Sequence, residues 1–153
     1  YIPKEGDMFL AINDALIAAQ TAVLAAEALG LGSCYIGDIM ENFEIHKKLF
    51  NLHKYVLPIT MLCIGYPTEQ QKNRTMRRRY FTKNMMVHKN IYQKPSIEEF
   101  GIMDKEIAEK DSPVFLPGCH NQAIHMYKRK ITSDFMSEMN RSVRAMIDSW
   151  LKN

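Results

Sequence analysis

The chain has 153 residues, 46% hydrophobic and 24% charged, with a formal net charge of +3. That size and balance describe one soluble domain, or one with an extension, and the charge total is too small to argue for a nucleic-acid or membrane partner. Three cysteines, Cys34, Cys63 and Cys119, are odd in number and widely spaced. They exclude a disulfide framework or a structural zinc site and favour a reducing, cytoplasmic setting.

The chain opens Tyr1-Ile2-Pro3 with neither an initiator Met nor a signal-peptide pattern, so a fragment or a processed chain is expected. Residues 1–12 read as a loop broken by Pro3 and Gly6, after which Asn13 and Asp14 cap a long helix. Eight alanines lie between Ala11 and Ala28, leaving a backbone that another helix or a flat ligand could approach closely. Leu16, Ile17, Val23 and Leu24 give the helix an apolar face. Gly30 and Gly32 stop it. The longest apolar runs fall short of the ~18 residues that a membrane span needs, so no span is expected.

Ser33 to Ile36 reads as a brief strand or extended loop, and Asn42 as the cap of a short helix from Phe43 to Phe50. The run from Tyr55 to Pro67 is almost continuously apolar, as expected of a strand buried on both faces, with Pro58 confined to its first residues. Between Gln70 and Ile97 stand eight Lys or Arg residues and no acid. Ser96 caps a helix through Lys110, and Pro113, Pro117 and Gly118 mark a turn region. In the last helix Phe135, Met139, Val143, Met146, Ile147 and Trp150 recur at steps of three and four.

Two stretches could carry chemistry. The turn Gly30-Leu31-Gly32-Ser33-Cys34-Tyr35-Ile36-Gly37-Asp38 would let backbone N–H groups approach a flat or anionic ligand, although a glycine-rich helix end feeding a strand is the commoner meaning of such a pattern. It follows a helix C-terminus, the wrong pole for phosphate, so a neutral ring would face this loop and a phosphate would lie elsewhere. The run Lys72-Asn73-Arg74-Thr75-Met76-Arg77-Arg78-Arg79 offers guanidiniums on a pliable segment for phosphate, or is simply a solvated basic loop. Only Tyr80 and Phe81 accompany it as aromatics, which argues against nucleic acid. Cys119-His120 lacks an orienting third residue, and His120 and His125 have no metal-site pattern, so no metal is expected.

Asp14-Ala15-Leu16-Ile17-Ala18-Ala19-Gln20, the block from Leu24 to Gly37, and Leu62-Cys63-Ile64-Gly65-Tyr66-Pro67 followed by a basic segment together resemble the FMN-dependent nitroreductase family. The resemblance spans about residues 10–92. It implies an α+β fold, helices around a mixed β-sheet in an intertwined homodimer, with FMN at the subunit interface and NADH or NADPH as electron donor. Residues 1–92 would be the C-terminal part of the FMN domain and 93–153 a mainly helical extension. The resemblance carries Tyr35, Ile36 and Gly37, flanked by Cys34 and Asp38, to the flavin ring. It carries Arg77 and Arg79 to the FMN phosphate, with Lys72, Arg74 and Arg78 as alternatives.

The implied chemistry is ping-pong hydride transfer through the flavin to a small nitroaromatic, quinone-like or related acceptor, with no side chain required as a nucleophile. The family's N-terminal half has no counterpart here. The expected partner is therefore a second copy or a chain carrying that half, and the contrasting reading is a non-catalytic flavin-binding or dimerising piece. Asn140-Arg141-Ser142-Val143-Arg144 resembles the Arg-Ser-x-Arg segment of the missing half and could replace its phosphate ligands. The apolar stripe of the last helix instead favours a solvated position for Arg141 and Arg144.

Overall fold

A computed structural model describes residues 1–74, 87–111 and 114–152. They fall into two compact units, residues 1–74 with 134–153, and residues 75–133. Packing thus groups the last helix with the first unit, whereas the sequence reading placed it in a 93–153 extension.

Helix α1 spans Glu5–Ala28 and starts nine residues before the position that an Asn13 cap predicts. The cause is a better cap upstream. The Asp7 carboxylate accepts the backbone N–H of Lys4 (2.8 Å) and the Tyr1 hydroxyl (2.6 Å). These two bonds hold its pKa below the usual carboxylate value, the Lys4 amide contributing most. Glu5 and Asp7 also set negative charge at the positive end of the helix dipole. Gly6 sits in the first turn, where it does not break the helix.

The helix ends as predicted. Gly30 takes φ 75°, and the N–H groups of Gly30 and Leu31 return to the carbonyls of Glu27 and Ala26. This is the Schellman arrangement, which satisfies carbonyls that the helix itself cannot. The earlier start gives α1 24 residues and corrects the expectation that no apolar stretch is long enough for a membrane: by length and composition α1 is. Core helices of soluble proteins pass the same test. Only Met8 and Ala26 of α1 are buried, while Phe9, Leu10, Ile17 and Leu24 are exposed.

Strand β1 (Gly32–Ile36) leads through a 3₁₀ turn (Gly37–Met40) to helix α2 (Phe43–Leu49). Strand β2 (Met61–Gly65) then pairs antiparallel with β1, Gly32 opposite Gly65 and Ile36 opposite Met61. Pro58 lies ahead of the ladder, where its missing N–H does no harm. Burial departs from expectation. Four of the five β2 residues are exposed, although α1 contacts both strands. A short turn of helix, α3 (Glu69–Lys72), follows, its first turn capped by the Thr68 hydroxyl accepting from the N–H of Gln71 (3.2 Å).

The core of this unit lies where α2 meets the last helix, α6 (Asp134–Leu151). Met139, Met146 and Trp150 of the predicted stripe are buried with Phe43, and Ser142 is completely buried beside them. Asn42 does not cap α2 with its side chain; it stands at φ 49°. Instead α6 does the capping: the Ser142 hydroxyl accepts from the N–H of Phe43 (3.1 Å) and Glu138 from that of Asn42 (3.0 Å). The Trp150 indole donates to the Lys4 carbonyl (3.1 Å) and lies edge-on to Tyr55, ring centres 5.2 Å apart. The last helix therefore fastens the start of α1.

The second unit holds helix α4 (Ile97–Asp111) and helix α5 (Gln122–Met126), which continues into a π-helical turn (Tyr127–Ile131). Ser96 and Glu99 form a reciprocal capping box at the start of α4. Asn121 caps α5, and Asp104 of α4 accepts from the N–H of Gln122 (2.8 Å).

Candidate functional site

The turn where α1 gives way to β1 fixes the positions expected to face a ring. Tyr35 and Gly37 line a groove of about 490 Å³ with Leu16 and Gln20 of α1 and with Met40, Ile59 and Thr60. Its lining is mostly apolar, with the Tyr35 hydroxyl donating to the Gln20 amide oxygen at 3.4 Å. Ile36 stands at the end of β1, its carbonyl accepting from the Thr60 hydroxyl (3.4 Å). At Gly37 a Cβ would meet no atom within 4 Å, so the backbone there is open to a flat ligand. Asp38 is exposed, and its carbonyl accepts from the N–H of Glu41 (3.0 Å) to close the 3₁₀ turn.

Cys34 belongs to a different place. Alternate residues of a strand point to opposite faces, so its side chain and that of Tyr35 diverge. With Gly32, Cys63, Gln71 and Arg74 it lines a second groove of about 600 Å³ at the other end of the strand pair. Of the expected phosphate ligands, Arg74 faces this groove and Lys72 is held by Glu69 on α3 (2.6 Å). Arg77, Arg78 and Arg79 lie outside the described residues. The structure thus brings together Tyr35 and Gly37 in one groove and Cys34 and Arg74 in another.

Sequence reasoning passed over Leu16, Gln20, Met40, Ile59 and Thr60 as lining residues. Gln20 had a detectable signal, being an amide between Ala19 and Thr21 on an apolar helix. The other four had none, since only the fold brings residues of the α1 middle against the approach to β2.

Arg141 is engaged in the frame. Its guanidinium donates to Glu138 (2.8 Å from Nε), to both Glu44 carboxylate oxygens (2.9 Å each) and to the Ser142 hydroxyl (3.1 Å). The bonds from Arg141, then Ser142 and the Asn42 amide, hold the Glu138 carboxyl down to about 2. Glu44 is lowered by the same guanidinium, and Arg141 is raised in turn. With bonds from Nε, Nη1 and Nη2 to two carboxylates, Arg141 fastens α2 to α6. Arg144 is exposed, as the stripe predicts.

Elsewhere, His125 Nδ1 accepts from the N–H of Leu116 (3.1 Å) and His120 is exposed. No group of three or more His, Cys, Asp or Glu residues capable of holding a metal occurs among the described residues.

Residues 1–66 match the model of the Nitroreductase family. The chain is 36% identical over 102 residues to an oxygen-insensitive NADPH nitroreductase of Salmonella typhimurium, an alignment covering 67% of this chain and 41% of that protein. It is 33% identical over 87 residues to an FMN reductase (NADPH) of Bacillus subtilis, covering 56% of this chain and 33% of the relative. The fold resembles the crystal structure of nitroreductase A from Vibrio parahaemolyticus with a TM-score of 0.73 at 20% identity, covering 99% of this chain and 60% of that one. The chain spans less than half the length of these curated relatives. The matched segment holds α1, both strands and everything between them, and the architecture is the α+β nitroreductase-like fold. Through that segment the chain belongs to the nitroreductase family.

Proposed function

We propose that this chain forms part of an FMN-dependent NAD(P)H oxidoreductase site of the nitroreductase type. The observation that carries the reading is the groove at the exit of α1, where an apolar lining meets a glycine with open space on its side-chain face. A flat heteroaromatic ring fits that chemistry. When bound, FMN would supply hydride transfer from NAD(P)H to a small acceptor such as a nitroaromatic or quinone-like compound. Leu16, Met40 and Ile59 would exclude water from the ring, and the Gln20–Tyr35 pair would set one polar edge. The backbone at Tyr35, Ile36 and Gly37 would place N–H donors where negative charge gathers. Arg77 and Arg79, with Lys72, Arg74 and Arg78 as alternatives, would meet the phosphate, away from the negative pole of α1.

A second reading rests on a specific observation. The exposed apolar face of α1 and the largely exposed strand β2 are surfaces that another polypeptide would bury, either a second copy or a chain carrying the rest of the family fold. On that reading the chain binds flavin or dimerises without turning over by itself.

Titrating the purified chain with FMN and then adding NADPH separates the two. The expected result is bound oxidised flavin whose absorbance bleaches with NADPH. Bound flavin that NADPH leaves unbleached would overturn the enzyme reading and leave the assembly reading standing. Failure to retain FMN at all would overturn both as flavin sites.

A further inference from the structure

We propose that Cys34 and Cys63 are a paired thiol site that exchanges with small, carboxylate-bearing disulfides and closes to a Cys34–Cys63 bond. The two residues stand directly opposite each other in the β1–β2 ladder. Side chains at opposed positions of an antiparallel pair point to the same face, so the two thiols share one side of the sheet. Both are exposed, and both line the second groove.

Backbone geometry permits closure. Opposed residues in an antiparallel ladder have Cα atoms ~4.5–5.5 Å apart, inside the ~4.4–6.8 Å window of disulfides. The remaining groove residues indicate the class of ligand. Arg74 offers a guanidinium suited to a carboxylate, and Thr68 and Gln71 add polar groups beside it. Cys119 sits in the turn region of the other unit, outside the β1–β2 ladder, and so provides an internal control.

The chemistry balances without any further reagent. One cysteine thiolate attacks a sulfur of the disulfide R–S–S–R, forming a mixed disulfide and expelling RS⁻, which takes up the proton that the cysteine lost. The facing thiolate then attacks the cysteine sulfur of that mixed disulfide, expels the second RS⁻ and forms the Cys34–Cys63 bond. The cysteine pair loses two electrons and two protons; the small disulfide is reduced to two thiols. The Cys34 side chain points away from the groove of Tyr35 and Gly37, so closure of the Cys34–Cys63 pair does not depend on the flavin reading; only Arg74, an alternative for the FMN phosphate, is common to both.

The test treats the reduced full chain with oxidised glutathione as the probe and follows intact mass and peptide maps. The expected product is a chain lighter by two hydrogens, with Cys34 linked to Cys63 and Cys119 unmodified. Cys34→Ser and Cys63→Ser should each stop at a stable mixed disulfide on the remaining partner. Arg74→Gln should slow the reaction with oxidised glutathione several-fold while leaving that with neutral hydroxyethyl disulfide unchanged. A wild-type chain that accumulates mixed disulfides without the Cys34–Cys63 link, or that reacts first at Cys119, would overturn the proposal. Equal slowing by Arg74→Gln with both probes would remove the carboxylate preference from it.

Discussion

The junction of α2 with α6 and the outer face of α1 belong to the same compact unit but treat their surfaces in opposite ways. At the junction, Glu138, Arg141 and Ser142 find partners inside the chain. Ser142 is wholly buried and bonded, Glu138 accepts a backbone amide, and Arg141 is divided between two carboxylates. Along α1, Ile17 is 67% exposed and Leu24 58%. The difference separates what this chain completes for itself from what it offers to another. A two-stranded sheet and an apolar helix of this kind gain most of their stability from a covering layer. The self-sufficient junction holds the frame on which the uncovered surface is displayed.

The contrast is broken most severely at Trp150. Its ring is buried, packs on Tyr55 and donates to the carbonyl of Lys4. Trp150→Ala should cost about 3–5 kcal/mol, the range for emptying a large aromatic site, measured by denaturant unfolding followed through far-UV circular dichroism. A loss under about 1 kcal/mol would mean that α6 does not fasten α1.

Acid gives the next effect. The Glu138 carboxyl is held to about 2 against an ordinary 4.5 in the unfolded chain, so the folded state binds its proton less readily. The stabilisation is therefore complete above about 4.5 and is lost as pH falls from there towards about 2. Glu44 is lowered in the same direction and adds to the slope. Stability measured from pH 6 to pH 2 should fall across that window, and Glu138→Gln should flatten the fall. An unchanged slope in the variant would detach the carboxylate from the junction.

The smallest effect on folding and the sharpest on the contrast should come from α1. Ile17→Lys and Leu24→Lys should each change the unfolding free energy of the isolated chain by no more than about 0.5 kcal/mol, as exposed sites do. In sedimentation experiments the same variants should weaken association with a second copy or with a chain carrying the rest of the family fold. Association as strong as in the unaltered chain would show that this face is not the one offered.

Legibility followed the range of the interactions. The end of α1 at Gly30, the Ser96–Glu99 capping box and the stripe of Met139, Met146 and Trp150 are set by neighbours three to five residues apart, and the sequence displays them. The start of α1 was misjudged because Asn13 and Asp14 look like a cap in isolation, while the Lys4–Asp7 bond and the Trp150 anchor make the earlier turn stable. For the candidate site, the resemblance to nitroreductases pointed to Tyr35 and Gly37, but nothing pointed to Leu16, Met40 and Ile59 as lining residues, since no local rule joins those stretches. Strand alternation sets Cys34 and Tyr35 on opposite faces, but that Cys34 stands opposite Cys63 and shares a groove with Arg74 needed the register of β1 on β2.

The sequence by itself therefore determined the helices with local caps and stripes, the extended segments beside glycines, and the resemblance of its ordered blocks to nitroreductases. Only the tertiary structure decided where α1 begins and which residues close the groove. It also decided that α6, not Asn42, caps α2, and that Arg141 serves the frame. The physical reason is that hydrogen bonds within one turn are written in adjacent letters. A bond such as that from Phe43 to Ser142 exists only once the chain has folded.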